Sequence, residues 1–478
     1  MKERILFCVS LAAGFFIISQ QSLWIDEAHS ALKAMQPDLA SFFRTLVSDG
    51  GSDLQMPGYM LWLWGWEKIF GHSEYALRLA NLPWWLLAQG VTIRFFGKKS
   101  GFFWVGSLLF LLHPFVWYYL DEARPYAMQM AGATLLAIGI FEAQNPERSI
   151  KNWFLWGSCG AVLMGITSLL AFLFSGTGLI VLTFLLLSER STRQPKTWLR
   201  IVPALAVFSA TGIYYLWTLC IGARATNGTG GTGWSNLLYV SYELLGFSGV
   251  GPSRIELRQN GAGALRPYLP ELALYGLASC VMLVATVREL GSKMVVVWAT
   301  YLLPPVLLIL MIGVFKDFRV LGRHFTPVLP VILLAWASCL AVWHRKNPRS
   351  AIGLGTLLLL LMLTSSLCLR LSPRHGKDNY RGAAKLAKSA LAQNKIVWWA
   401  ADLAAAKYYQ IPFTGAGSAV DVRQSRFEDF AKSPLPNLIL LSKPDVYDSH
   451  GDLLRYLHDV PLKQTATLQS FTIWEDAR

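Results

Sequence analysis

Two pairs of adjacent carboxylates invite a chemical reading: Asp26-Glu27, directly after an apolar run, and Asp121-Glu122, inside Trp117-Tyr-Tyr-Leu-Asp-Glu-Ala-Arg-Pro-Tyr126. A carboxylate beside an apolar segment can take a proton from an acceptor, hold a divalent metal, or do both. Asp26-Glu27 taken alone also read as two solvated acids at a helix end, where a charge costs little. The second pair shares its turn with Arg124 and three tyrosines, and Pro125 suits the first turn of a following helix. An interfacial aromatic belt accounts for the tyrosines but not for the acids. A third stretch, Lys316-Asp-Phe-Arg-Val-Leu-Gly-Arg-His324, is cationic. Arg319 and Arg323 could grip a phosphate in bidentate fashion, with Lys316 and His324 adding charge, although contact with anionic headgroups explains such a loop as well.

The elements that must position these residues are membrane helices. The chain has 478 residues, of which 54% are hydrophobic and only 15% charged, against about 25% charged in soluble domains. Its mean hydropathy is +0.39. Apolar runs lie near 5–24, 77–96, 102–120, 126–141, 153–187, 201–221, 271–287, 294–314, 325–343 and 351–371. The first follows Lys2 and Arg4 without a small-residue cleavage site, so it reads as a retained helix. The run from Trp153 to Leu187 has no charge. As one helix it would be about 52 Å long against a hydrocarbon core of about 30 Å, so two crossings are expected, turning near 167–175.

Pro57–Phe70 decides the topology. It is short, rich in tryptophan (Trp62, Trp64, Trp66) and ends in Glu67-Lys68, which favours an interfacial helix over a span. If it lies flat and the N-terminus is cytoplasmic, Arg94/Lys98/Lys99, Arg148/Lys151, Arg190/Arg193/Lys196/Arg200, Arg288/Lys293 and Arg345/Lys346/Arg349 all fall inside. About 11 crossings follow. The outer face then receives 25–76, 121–125, 222–270, 315–324 and the tail from Ser372, and with them every candidate site residue.

The net charge of +14 does not point to nucleic acid. The tail, 372–478, holds 14 Lys/Arg against 11 Asp/Glu, and the rest of the excess sits largely in short loops between apolar runs. The tail alternates helix (380–391), strand (396–400), helix (403–409), strand (437–441), helix (452–458) and strand (470–474), as a small extracytoplasmic α/β domain would. The six cysteines lie in or beside apolar runs and form no CxxC or Cys/His cluster. No P-loop, no strand–GxGxxG–helix unit and no HExxH motif occurs. Asn227-Gly-Thr229 is a glycosylation sequon, and 227–234 read as a flexible glycine-rich loop.

Four segments in order carry a resemblance: Trp24-Ile-Asp-Glu-Ala-His-Ser; Gln55-Met-Pro-Gly-Tyr-Met-Leu-Trp with Phe70-Gly-His-Ser-Glu-Tyr-Ala-Leu-Arg-Leu79; Tyr119-Leu-Asp-Glu-Ala-Arg-Pro-Tyr126; and Arg323-His-Phe-Thr-Pro-Val-Leu-Pro330. Over 1–371 the chain resembles the GT-C glycosyltransferases of the protein O-mannosyltransferase and aminoarabinose transferase type. The resemblance implies a polytopic α-helical membrane domain with interfacial helices in the first outer loop. It implies transfer of a sugar from a polyisoprenyl phosphate to a glycan, lipid or protein acceptor on the outer face, with inversion, in a bacterial plasma membrane. Asp26 matches the family's general base with Glu27 beside it, and Glu122, next to Asp121, matches the second-loop acid. Arg323 matches the basic residue at the lipid phosphate, where His324, Arg319, Lys316 and Arg124 add charge. Gln55, Tyr59, Arg78 and Tyr126 fall in the substrate-positioning segments. Asp26, Glu27 and Glu122 are also the residue types that hold a divalent metal, though no motif requires one. The chain departs from the family at Gln55-Met56-Pro57, where a His or Lys is usual, and at Arg78-Leu79-Ala80, where Pro is usual. These departures leave the donor sugar and acceptor open.

Two other classes compete. A transporter or lipid flippase would carry ionisable or broken-helix sites near the midplane and paired repeats, whereas the acids here cluster at the outer rim and no repeat is visible. A non-catalytic polyisoprenyl-lipid-binding relative would not need both acid pairs.

Overall fold

A computed structural model describes residues 2–97, 103–144, 150–188, 195–222, 231–316 and 318–476. The chain packs into two units. Unit 1 comprises Met1–Ser19, Pro37–Phe70 and Arg78–His375; unit 2 comprises Gln20–Gln36, Gly71–Leu77 and Gly376–Arg478. The expected boundary at 371/372 thus falls just before the last stretch of unit 2, which also draws in Gln20–Gln36 and Gly71–Leu77, at the two ends of the stretch expected as the first outer loop.

Unit 1 is a helical bundle, and each apolar run expected above contains at least one helix. Six helices among the described residues are long and apolar enough to cross a membrane. Together with the fold established below, they make this an integral membrane protein. Tyr126–Ala143 runs through the middle, buried along nearly its whole length. It lies close against Ile150–Thr167 because glycines meet there: a Cβ on Gly160 would stand 2.5 Å from the Gly132 carbonyl oxygen, and one on Gly139 2.6 Å from the Gly157 Cα. Without an apolar-effect drive inside lipid, such backbone approach is a main source of helix association. The outer helices instead expose Ile180, Phe184, Ile213 and Leu216, as lipid-facing surfaces do.

The long uncharged run divides into Ile150–Thr167 and Leu169–Ser188, as its length requires. Ser168 sits at the break, its hydroxyl accepting from Gln129 Nε2 (2.8 Å) and from the Ala171 N–H (3.2 Å). Leu269–Phe315 is likewise two helices, parted at Gly291, whose φ of 77° an L side chain adopts only with strain. Pro57–Phe70 is a 14-residue helix, about 21 Å long, and is not among the six. The run 102–120 is also interrupted: Phe103–Leu112 stops before His113-Pro114 and Pro114–Leu120 restarts, because the residue before proline disfavours the helical region. The first helix, expected to reach Trp24, ends at Ile17. The backbone of Ser19 bonds to the side chains of Asp121 and Arg78 instead of continuing the ladder.

Unit 2 is built on a five-stranded sheet: β1 (Val397–Ala400), β2 (Val420–Asp421), β3 (Leu438–Ser442), β4 (Leu462–Leu468) and β5 (Phe471–Asp476), in the order β2-β1-β3-β5-β4. Strands β2, β1 and β3 are parallel, β5 runs antiparallel to β3, and β4 pairs with β5. β1 and β3 are buried at every residue, which is why both read as continuous apolar runs. Strands β2 and β4 and helix Phe427–Lys432 have no counterpart in the sequence reading. β2 is two residues long, and β4 is exposed at five consecutive positions, Lys463–Thr467. Neither leaves an apolar pattern.

Candidate active site

In unit 1 the second acid turn is a hub. Asp121 closes the C-terminus of Pro114–Leu120; its carboxylate accepts from the Ser19 N–H (2.5 Å) and Ser19 Oγ (2.8 Å). Arg78, with no exposed surface, donates Nη1 to the Ser19 carbonyl at 3.2 Å and places Nε 3.9 Å from Asp121. Asp121 therefore pins the end of the first helix, and Arg78 neutralises it. Glu122 is fully buried, and its backbone carbonyl accepts from Asn81 Nδ2 and from the Arg124 N–H. Tyr59, also fully buried, donates to Asn81 Oδ1 at 3.4 Å. Arg124 is committed to Asp53, Nη1 to Oδ1 at 2.6 Å, and to Ser52 Oγ at 3.3 Å. Gln55 caps the short helix Gly51–Leu54, and its carbonyl accepts the Leu169 N–H at 3.0 Å. Tyr126 packs edge-on against Tyr119, 4.6 Å between ring centres.

The basic loop is tied to this hub through residues that the sequence reading did not single out. Arg254 donates Nη1 to Tyr118 Oη (2.7 Å) and Nη2 to Tyr119 Oη (3.0 Å), and its guanidinium lies over the Tyr118 ring at 4.0 Å. The same Nη2 bonds Glu243 Oε1, while Glu243 Oε2 accepts the Gly322 N–H at 2.9 Å. Tyr239 Oη adds a third donor to Glu243 at 3.1 Å. Burial opposes the charge on Arg254, but the facing Tyr118, Tyr239 and Glu243 more than offset it and its pKa is raised. One bonded path thus runs from the tyrosines before Asp121-Glu122 to the residue before Arg323.

Arg323 is half-buried in the 3₁₀ turn Gly322–Phe325. His324 accepts the Leu321 N–H on Nδ1 at 3.1 Å and stacks on Phe318, 4.8 Å between centres. Burial, and then Arg323, push its pKa well below the usual histidine range. His324 is therefore a neutral donor through Nε2 rather than the cation the sequence suggested. Lys316 and Arg319 are exposed. Asp317 and the sequon Asn227–Thr229, with the first half of its glycine-rich loop, lie outside the described residues.

In unit 2 the first acid pair opens the helix Ile25–Ala34. Asp26 is half-buried. Glu27 has no exposed surface: it accepts the Trp24 N–H at 3.3 Å, forming a helix cap, and pairs with Lys377 at 3.3 Å. Asp26 and Glu27 thus have different surroundings: Glu27 is fully buried and Asp26 only partly so. Among the described residues no group of three or more His, Cys, Asp or Glu could hold a metal ion.

Asp53 lies at the end of the polar stretch that drew attention to Asp26, and its acidic character was its one sequence signal. Glu243 is an acid in the aromatic, apolar helix Trp234–Leu244. Arg254 opens a helix marked by the cap Ser253-x-x-Glu256, so local pattern located the helix without revealing its contacts.

No protein-family model matches the chain, and no curated protein matches it in sequence. Among solved structures it is similar to ArnT from Cupriavidus metallidurans in the apo state, with a TM-score of 0.55 at 13% identity over 98% of this chain and 97% of that one. The same enzyme bound to undecaprenyl phosphate gives a TM-score of 0.52 at 12% identity, again over 98% and 97%. A looser likeness to the mycobacterial arabinofuranosyltransferase AftD, TM-score 0.44 at 13% identity, covers all of this chain and 40% of that one, too distant to bear on the fold. Chain-long similarity to ArnT, bundle and small sheet alike, gives this protein the fold of the GT-C membrane glycosyltransferases.

Proposed function

We propose that the protein is an inverting glycosyltransferase that moves a sugar from a polyisoprenyl phosphate to a hydroxyl or amine acceptor on the outer face of the membrane. The observation that carries the proposal is the path Tyr118/Tyr119–Arg254–Glu243–Gly322, which binds the acid turn to the basic loop in a fold shared with a protein solved with undecaprenyl phosphate bound. Arg323 takes the lipid phosphate, with His324 Nε2–H as a neutral donor and Arg319 and Lys316 as exposed charges at the rim. Arg78 and Arg124 act inside the protein, on Asp121 and Asp53, rather than on the phosphate. Glu122, buried at the turn, lines the donor side, with Tyr59, Gln55 and Tyr126 holding its surroundings.

The chemistry follows from the donor. Phosphate is already a competent leaving group. The acceptor oxygen or nitrogen attacks the anomeric carbon, Asp26 takes its proton, and the bond from that carbon to the phosphate oxygen breaks with its electron pair leaving on the phosphate. General-base assistance is worth about 10²- to 10⁴-fold, and a cation at the departing phosphate stabilises the charge that develops there. In this reading the N-terminus is cytoplasmic and the short helix Pro57–Phe70 lies in the outer interface.

The test is transfer by the purified protein, using the lipid-linked sugar that accumulates in cells lacking it. Asp26→Asn should abolish transfer while leaving membrane insertion and undecaprenyl phosphate binding intact. Near-normal turnover in that variant sinks the base assignment. Arg323→Ala should weaken undecaprenyl phosphate binding about tenfold or more, as expected for loss of a charge-assisted contact; unchanged affinity counts against the phosphate site. Retention of full activity in EDTA would remove metal from the mechanism.

A further inference from the structure

Unit 2 joins the Asp26 helix to the C-terminal domain through bonds on both sides of Asp26. Before it, Arg381 donates Nη2 to the Gln20 carbonyl (2.7 Å), the Lys377 N–H bonds Gln21 Oε1 (2.7 Å), and the Arg381 N–H bonds Ser22 Oγ (3.0 Å). The Tyr409 hydroxyl accepts the Leu23 N–H at 2.8 Å and lies 3.1 Å from both Ser22 Oγ and Glu74 Oε1. Burial pushes its phenol pKa up, so the hydroxyl stays protonated. After Asp26, the buried Glu27 receives the Lys377 ammonium at 3.3 and 3.4 Å, and His29 Nε2 faces Asp402 at 3.5 Å. The Asp402 backbone leaves β1, and its carboxylate also caps the helix Leu403–Tyr408.

This arrangement is more than domain packing requires. A carboxylate with no exposed surface and a lysine side chain only 9% exposed form an ion pair one residue from Asp26. Burying both charges is costly unless their geometry is held, and the Trp24 N–H bond and the tail anchors hold it.

We propose that Lys377 is a positioning residue: through Glu27 it fixes the first turn of Ile25–Ala34, so that the C-terminal domain sets the direction of the Asp26 carboxylate. This rests on Asp26 being the base. Glu27 then acts through its neighbour and takes no proton from the acceptor. The phosphate contact assigned to Arg323 belongs to unit 1 and is not fixed by this clamp.

The experiment measures turnover, undecaprenyl phosphate affinity and hydrogen exchange of 20–36 in the full-length protein. Lys377→Met should lower kcat on the order of 100-fold, as misplacement of a reacting group does, while affinity stays within about 2-fold. Exchange over 20–36 should quicken. Lys377→Arg should keep most of the activity, and the charge swap Glu27→Lys with Lys377→Glu should recover part of it. Wild-type kcat in Lys377→Met, or unchanged exchange over 20–36, overturns the inference. If Asp26→Asn is inactive while Lys377→Met is active, the function stands and the positioning role falls. If Asp26→Asn is active, the base assignment falls and the positioning role with it, while the exchange result still decides whether Lys377 clamps the helix. Should Lys377→Met fail to insert, Lys377→Arg and the charge swap decide: loss of turnover in both, with insertion kept, overturns the role.

Discussion

Glu243 is the residue that bonds the basic loop of unit 1 to Arg254. Its carboxylate, almost wholly buried, takes donors from Arg254, Tyr239 and the Gly322 backbone. Arg254 is 36% exposed and keeps part of its hydration when Glu243 is removed, so the loss is smaller than the about 3–5 kcal/mol of breaking a fully buried pair. Glu243→Ala should therefore lower the melting temperature and weaken undecaprenyl phosphate binding together, whereas Glu243→Gln, which keeps an acceptor for Gly322, should lose less affinity. Equal affinity in wild type and Glu243→Ala would detach this network from the phosphate site. Histidine titration gives a second expectation. Burial and Arg323 depress the pKa of His324, and burial and Arg374 bring that of His375 down to about 4. Both protonate more readily when unfolded, so their contribution is present above about pH 6.5 and is lost as pH falls below it. Thermal stability should drop between pH 7 and 5, and His375→Gln should flatten that drop. A melting temperature independent of pH over this window would contradict the lowered pKa of both rings.

At the scale of elements, the contact between Tyr126–Ala143 and Ile150–Thr167 leaves no room for side chains at its glycines. Gly139→Val or Gly160→Leu should force these helices apart and reduce the yield of folded protein, while Gly353→Val, where a Cβ meets nothing within 4 Å, should not. Detergent-stability measurements on the three variants would separate them. What could be read from the sequence follows the same physics. The apolar helices, the forced turn near Ser168 and the fully buried β1 and β3 are written as apolar length, and all were legible. Helix ends were less so: the first helix stops at Ile17 because Ser19 is claimed by Asp121 and Arg78, partners 102 and 59 residues away. The acid turn and the basic loop were visible as residue types, but Arg254 and Glu243 were not, since a lone charge on a short helix reveals nothing of what it will meet. His324 was read as a charge because burial is invisible in a lone histidine.

At the scale of the whole molecule, the charge pattern predicts an N-terminus in the cytoplasm and a tail on the other side of the membrane. A reporter fused after residue 192 should report the cytoplasm and one fused after residue 478 the outer side; the reverse assignment would overturn the flat placement of Pro57–Phe70 and the outer-face site with it. The interleaving of the two units carries a temporal consequence. The bonds between Lys377 and Glu27 link residues 350 positions apart, so when the ribosome has made the Asp26 helix, its clamp does not yet exist. Every membrane helix must be synthesised before the segment that holds Ile25–Ala34 emerges. A chain that stalls or is cleaved near Ser372 would therefore keep its membrane bundle while the segment around Asp26 lacks these anchors, and completion of the tail becomes the step that secures the Ile25–Ala34 helix.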